Sequence, residues 1–524
     1  MSNSVLNHIS RAGDSNLILD YLEKKEELKG FIFDFPSLES ILNAAEGRDF
    51  SASSREVLYQ TIRNQYDRAQ IDIPMFWGEI LNENTFTITT GHQLNLFGGP
   101  KYFIYKIISV LKLVERLNDH QKDKKFLPVF WMATEDHDFE EINQVNIFGK
   151  KLSTSKKATG PVGRVDTLLF EETKFELAKV LGTSLRAKEL LNLFDRAFEH
   201  ANWADFTRQW VHDLFEGKVV IVDGDDAKLK QLFSEIAIQE IKAQVTDRNV
   251  SLANSSLSDL GYHAQVSHRN INLFYIEKGI RERIDILNGG YRIHNLSRSL
   301  TLEEVTKHPD CISPNALLRP VYQELVLPNV AYVGGPGELA YWFQLKGLFD
   351  ELKVSFPLLV MRDSFLFVEK SDLDLLNDLG VSLEELQNEN AVLIKSYIQK
   401  NELKNIDFEN ERERLFDIFK TIENKISSMH RDYRSMIEAE KTRVQKFIEK
   451  MELRAFRDAK FKEDVNIRKV LSLKQKYFPN GVLIERKTSF MEDYLELGRT
   501  EYFSQLMSCS DVFDSRIKVI TVNK

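Results

Sequence analysis

Residues 127–141 read LPVFWMATEDHDFEE: an unbroken apolar run of strand length, then six ionisable side chains in the seven positions after Thr134. A continuous apolar run bounded by polar residues fits a strand buried on both faces of a parallel sheet. Upstream, FTITTG (86–91) is a β-branched run ending in Gly, followed by the loop HQLNLFGG and an amphipathic helix from Pro100, PKYFIYKIISVLKLVERL. Proline at the first helical position costs no hydrogen bond and pre-sets the backbone angle. Strand, helix and strand between residues 86 and 134 make a βαβ unit.

The pattern recurs downstream. KVVIVDGDD (218–226) leads into AKLKQLFSEIAIQEI, NVAYVGGPGE (329–338) into ELAYWFQLKGLFDEL, and FPLLVMRD (356–363) closes the series. Between them, residues 148–215 read as a hairpin followed by helices. A second insertion, 247–300, carries YHAQV, NLFYIE, RERIDIL and GYRIHN, the texture of short antiparallel strands joined by tight turns. Ahead of the core, SLESILNAA and SREVLYQTIRNQYDRA have helical spacing and a serine at the start. The expected fold class is α/β: a doubly wound core with connecting insertions over 1–370, an α-helical coiled coil over 371–475, and a C-terminal segment, 476–524, packing back on the core.

Composition narrows the function classes. At roughly 150 residues per domain, 524 residues hold several cores. The 43% apolar and 28% charged content is that of an ordinary globular chain, which excludes a wholly disordered or polytopic membrane protein. Lys and Arg number 70 against 79 Asp and Glu, a formal charge of −9, with no block of basic residues. A sequence-independent grip on nucleic acid needs a phosphate-neutralising patch, so no nucleic acid is expected. Cys311 and Cys509 offer neither a disulfide framework nor a cysteine zinc site. The start, MSNSVLNHISRAGDSN, has no signal-peptide pattern, and nowhere do about 18 apolar residues run together. The expectation is a cytoplasmic protein without a membrane partner or a bound metal.

From 411 to 470, 28 of 60 residues are charged, and apolar positions from Leu415 to Ala455 recur on average every 3.64 residues. That matches one nearly straight helix from about 411 to 460. Its stripe needs a partner, with 382–402 covering part and a second subunit the rest, so a homodimer is expected with Ile422, Ile426, Met429 and Tyr433 near its seam.

Three strand ends carry candidate chemistry. In open α/β sheets, ligands sit beyond the carboxyl ends of strands, and TEDHDFEE puts Glu135, Asp136, His137 and Asp138 at such an end. Imidazole beside carboxylates suits acid–base work; an acidic helix start stabilised by the macrodipole is the equal alternative. TTGHQLNLFGGPK (89–101) offers Gly91, His92, Gly98, Gly99 and Lys101 around a helix N-terminus that favours an anion. It has neither the P-loop nor the dinucleotide spacing. VGGPGELAYW (333–342) supplies Gly334, Gly335, Gly337 and Glu338, and SPNALLRPVYQE (313–324) supplies Arg319, whose planar fork suits a carboxylate or phosphate. KKLSTSKKATG (150–160) faintly echoes the lysine loop of class I aminoacyl-tRNA synthetases but comes too early in the chain, and reads as a solvated basic hairpin.

These junctions resemble the bacillithiol-biosynthesis cysteine-adding enzyme family. The matching stretches are TGHQLNLFGGPKYFIYK, PVFWMATEDHDFEEIN, SPNALLRPVYQE, NVAYVGGPGELAYW and YFPNGVLIER, in that order between residues 90 and 486. The resemblance implies a Rossmann-like core with synthetase-style insertions, a coiled-coil domain that mediates dimerisation, and the joining of cysteine to the amine of glucosaminyl malate. It also implies a second nucleotide pocket near the coil, for ATP or ADP, to which Asn480, Glu485 and Arg486 are assigned. Glu135, Asp136, His137 and Asp138 are then the catalytic candidates, and the glycine junctions with His92, Lys101, Arg319 and Glu338 hold substrate. A nucleotidyltransferase or aminoacyl-tRNA-ligase-like enzyme on the same core, and a ligand-binding coiled-coil scaffold, are the alternatives.

Overall fold

The computed structural model describes residues 7–287, 290–296, 298–401, 408–426 and 433–523. Five strands, Thr85–His92 (β1), Lys125–Met132 (β2), Val220–Asp223 (β3), Asn329–Gly334 (β4) and Leu358–Met361 (β5), form one sheet in the order β5-β4-β1-β2-β3. Every neighbouring pair is parallel. Each is one of the strand runs read from the sequence. The chain starts at β1 in the middle, steps outward to β2 and β3, and resumes on the other side with β4 and β5. Strand order therefore reverses between β1 and β4, which leaves a crevice at their carboxyl ends.

Burial explains the runs. All eight residues of β1 and all six of β4 are buried, and the threonines of β1 are accommodated by hydrogen bonds, Thr87 and Thr89 donating to Asn329 and Thr90 to the Val333 carbonyl. Helix Tyr102–His120 (α1) lays Val110, Leu113 and Leu117 against Ile88, Val330 and Val360, and helix Leu38–Glu46 adds Ile41 and Ala45. Three further helices frame the crevice: Ala227–Ala243 (α2) after β3, Arg319–Val326 (α3) before β4, and Pro336–Trp342 (α4) after it.

The first insertion opens with an antiparallel hairpin, Gln144–Ile147 with Lys150–Ser153, and continues as helices. The second begins with helix Val245–Asp259 and builds an antiparallel sheet from Leu273–Glu277, Ile280–Leu287, Gly290–Ile293 and Ser299–Leu300, joined by Ile312–Pro314. YHAQV (262–266), expected as a strand, is not one. The amides of Gln265 and Val266 donate to the Gln344 side chain instead of to a neighbouring strand.

The chain divides into two compact units, residues 1–366 with 485–520, and residues 367–484 with 521–524. In the first unit the late segment adds helices Met491–Leu497 and Arg499–Cys509, then pairs Ile517 with Ile9 in antiparallel register. In the second unit the single helix expected from 411 to 460 is corrected to two, Glu409–Ile426 and Arg434–Lys462. Arg412 bonds Glu452 at 2.7 Å, and the Lys441 ammonium sits 5.3 Å from the Phe416 ring. An unbroken helix would separate residues 412 and 452 by about 60 Å, so the two helices run back along one another. Ile437 and Ile448 are buried, whereas Ile418, Ile422 and Phe447 are exposed; Met429 lies outside the described residues.

Spin labels at positions 412 and 452, with Cys311 and Cys509 replaced by serine, should report a short distance. A separation near 60 Å would restore the single helix.

Candidate active site

A cleft of about 820 Å³ lies at the carboxyl ends of β1, β2 and β4, where strand order reverses. One wall is the acidic loop that follows β2. Its backbone is pinned by the first insertion, with Val162 N–H donating to the Asp136 carbonyl at 2.7 Å and Gly163 N–H to that of Thr134 at 2.8 Å. The Thr134 hydroxyl donates to Asp223 at the end of β3. Glu135, 8% exposed, forms an ion pair with Lys230 of α2 at 2.9 Å. Asp136 accepts from the Gln93 amide and from its neighbour's backbone, both at 2.7 Å, and stands 4.0 Å from Arg281. Burial opposes its ionisation but is outweighed by hydrogen bonds from His137 and Gln93 and by the charge of Arg281, so its carboxyl sits well below the usual range.

Both histidines of the cleft are fixed as donors. Arg281 donates to His137 Nδ1 at 2.8 Å, and Gln93 N–H donates to His92 Nδ1 at 2.8 Å. A guanidinium and a backbone amide have no lone pair to offer, so each neutral imidazole carries its proton on Nε2. His92 stacks on Tyr102, with ring centroids 5.3 Å apart, and its Nε2 is buried without a hydrogen-bond partner among the described residues. Burial first, then the charges of Lys106 and Arg362, hold its pKa well below the ordinary value.

The opposite wall is cationic. Arg319 donates to Gln323 at 3.0 Å and to the Tyr341 hydroxyl at 2.9 Å. Arg362, just past β5, donates to Glu485 at 2.6 Å, and both side chains are 2% exposed. Arg486 lines the same cleft, is exposed, and makes no hydrogen bond or ion pair among the described residues. Lys106 of α1 donates to the Gly91 carbonyl at 2.7 Å and pairs with Glu338 at 2.6 Å, while Glu338 also caps the Gly335 amide at 2.9 Å.

Family models now join this geometry. The model for the bacillithiol biosynthesis BshC N-terminal Rossmann-like domain matches residues 5–363, and that for the BshC C-terminal coiled-coil domain matches residues 365–522. The chain belongs to the BshC family. A relative from Flavobacterium psychrophilum is 38% identical over 496 residues, covering 92% of this chain and 93% of its own. One from Christiangramia forsetii is 34% identical over 529 residues, with 97% of each covered, and one from Staphylococcus carnosus is 24% identical over 528, covering 95% and 96%. Each bears the name "Putative cysteine ligase BshC".

In this BshC-family chain the cleft gathers Gly91, His92, Glu135, Asp136, His137, Arg319, Gly335, Gly337 and Glu338. Other expected residues lie elsewhere, each for a physical reason. Asp138 caps the short helix Phe139–Ile142 by accepting from Glu141 N–H at 3.3 Å. Gly98 and Gly99 have φ of +83° and +57° in the turn before α1, where a Cβ on Gly98 would meet Trp210 at 3.1 Å and one on Gly99 would meet Asn95 at 2.7 Å. Lys101 is 6% exposed, its ammonium pairs with Asp493 at 2.7 Å, and its N–H bonds the Thr488 carbonyl at 2.9 Å. The start of α1 is thus covered by the segment around 488–493 and offers no anion site. Gly334 serves packing, with Leu339 2.8 Å from where its Cβ would stand. Asn480, at φ +55°, belongs to the coiled-coil unit, while Glu485 belongs to the α/β unit and is spent on Arg362 and Ser364. Arg486 lines the cleft.

Gln93, Lys106, Lys230, Arg281, Tyr341 and Arg362 are the site groups that motif reading left out of its assignments. Gln93, Lys106 and Tyr341 lay inside the quoted stretches TGHQLNLFGGPKYFIYK and VGGPGELAYW, and Arg362 stands immediately after a buried strand, whereas Lys230 and Arg281 had no such signal. Arg281 reaches the cleft from the inserted sheet, lying 4.0 Å from the Phe274 ring.

Arg362→Met should leave Glu485 buried and unpaired and cost about 3–5 kcal/mol. Adding Glu485→Leu should recover most of that loss. Urea midpoints of the single and double variants check it; equal midpoints would show the pair contributes nothing.

Proposed function

We propose that the chain joins the carboxyl group of cysteine to the amine of glucosaminyl malate in the cytoplasm, forming the amide bond of bacillithiol. The observation that favours this reading is the uneven charge of the cleft, with Glu135 and Asp136 on one wall beside Arg281, and Arg319, Arg362 and Arg486 on the other, where Glu338 is paired with Lys106. A substrate bearing an amine at one end and a malyl dicarboxylate at the other would lie across it in one direction. Family membership and the names of its relatives support the same reading.

In this reading Arg319 and Arg486 take the two malyl carboxylates, for which planar forks are suited, and Arg362 adds positive potential behind them. Asp136, ionised well below neutral pH, is a poor base and instead draws the ammonium group. Glu135 is the carboxylate that accepts its proton, since general bases work best with a pKa raised toward the working pH. His92 and His137 present Nε2–H to oxygen atoms that gain negative charge as the carbonyl is attacked.

Purified chain incubated with cysteine and glucosaminyl malate should yield a thiol whose mass is the sum of the two substrates less one water. Run with and without ATP, the same assay reports whether the cysteine carboxyl must first be activated. No such product in either arm would overturn the assignment. Asp136→Asn and His137→Ala should abolish turnover with the fold retained by circular dichroism. Arg319→Lys should raise KM for glucosaminyl malate about tenfold with a smaller change in kcat.

We also propose a homodimer through the coiled-coil unit, because Ile418, Ile422, Phe447 and Met451 remain exposed on the paired helices. Light scattering should give twice 60.8 kDa, and Ile422→Lys with Phe447→Lys should give monomers. A monomeric wild type would refute the interface.

A further inference from the structure

Behind the acidic wall lies a line of charges that the reading above does not use. Lys230 sits in the first turns of α2 and is 1% exposed. Its ammonium donates to Asp225 at 2.8 Å and to the Asp310 carbonyl at 3.1 Å, and pairs with Glu135 Oε1 at 2.9 Å. Asp225 is gripped from the far side by Arg164, at 2.6 and 2.8 Å. The series Arg164, Asp225, Lys230, Glu135 therefore runs from the surface to the cleft, where it ends on a carboxylate. Glu135 Oε1 is buried at the cleft wall with the Lys230 ammonium as its partner. Burying ions costs several kcal/mol each even after relaxation, and an apolar contact at these positions would hold α2 to the sheet at lower cost.

We propose that Lys230 is a positioning residue: held by Asp225, it fixes Glu135 at the cleft wall and governs how readily that carboxylate takes a proton from the incoming substrate ammonium. The transfer moves one proton from nitrogen to a Glu135 oxygen and leaves a neutral amine and a neutral carboxylic acid. This rests on the reading of Glu135 as the proton acceptor.

The surroundings give the proposal a sign. Glu135 faces Lys230 from α2, Asp225 from the β3–α2 turn, Arg281 from the inserted sheet and the Tyr322 hydroxyl from α3. Arg164 and Asp223 lie behind it, and Asp136 and His137 are its neighbours on the loop. Burial raises its pKa; the positive charge of Lys230 lowers it, and the negative charge of Asp225 raises it. Removing Lys230 must therefore make Glu135 a stronger base, and removing the Asp225 charge a weaker one.

The test titrates Glu135 by infrared difference spectroscopy, its carboxyl band identified as the one that Glu135→Gln deletes. Lys230→Met should move the midpoint up by about one to three pH units. Asp225→Asn should move it down, and Lys230→Arg should leave it near wild type. The acid limb of kcat/KM should move in the same directions. A lysine that merely props up the fold would lower thermal stability without moving either quantity. Unmoved midpoints, or shifts of the same sign in Lys230→Met and Asp225→Asn, would overturn the proposal. If Lys230→Met fails to fold, Asp225→Asn and Lys230→Arg still separate the outcomes. The infrared midpoints stand without turnover, so failure of the ligase assignment is read separately in the reconstitution.

Discussion

The buried pair Arg362–Glu485 is the constraint on which the cleft depends. A guanidinium placed just past β5, 2% exposed, cannot be left unpaired without a penalty of several kcal/mol. Its partner comes from 123 residues further along the chain. Glu485 accepts from both Arg362 and Ser364, and Arg362 lies 5.1 Å from the Tyr102 ring, which stacks on His92. The return of residues 485–520 to the α/β unit thus supplies more than a lid over apolar surface. It completes the electrostatics of the cationic wall and delivers Arg486 to the cleft beside it. Lys101–Asp493 repeats the device at the start of α1.

The cleft sorts its ionisable groups by what they can exchange. Asp136 is tied into hydrogen bonds that favour its charged form, and both histidines are held as donors by neighbours that cannot accept. Asp136, which looks like half of an acid–base pair in the string EDHD, is thereby held as a fixed charge, with His137 beside it as a hydrogen-bond donor. The carboxylate whose pKa rises is Glu135, the residue before them, which faces the other way toward Lys230. Thr134 and Glu135 form a turn, with Asp136 N–H donating to the Ala133 carbonyl at 3.3 Å; Glu135 thereby meets Lys230 while Asp136 meets Gln93, which separates a fixed charge from an exchangeable proton.

Four strands were legible as apolar runs because a parallel strand is buried on both faces; β1 was legible as a β-branched run whose buried Thr87, Thr89 and Thr90 hydrogen-bond Asn329 and the Val333 carbonyl, and the acidic and glycine-rich strand ends followed from where such sheets leave a crevice. What could not be read was long-range. Lys101 and Lys106 are five positions apart, about 140° around a helix, so they cannot share a direction; which one faces the cleft is set by Thr488 and Asp493, nearly four hundred residues later. The average period from Leu415 to Ala455 likewise counts residues without sensing direction, and a helix that doubles back keeps the same period as one that does not. Arg281 and Lys230 carried no local mark, since a lone cation on a strand or in a first helical turn looks like ordinary solvated charge.

The acidic loop owes its fixed shape to two backbones that approach it closely. Gly163 donates to the Thr134 carbonyl, and a Cβ there would fall 2.6 Å from the Thr134 side chain. Gly224, between Asp223 and Asp225, lies against the Trp131 ring with no room for a side chain. Gly163 bears on Thr134, next to Glu135, and Gly224 on Trp131 near the end of β2; both contacted residues line the cleft. Real Cβ atoms do not sit at such distances, so alanine at either position must push the loop or the indole aside. The Glu135–Lys230 distance of 2.9 Å would then open. Charge–charge coupling falls with distance and falls further as water enters between the partners. The proton affinity of Glu135 is therefore set jointly by a buried cation and by two glycines whose only contribution is the absence of a side chain.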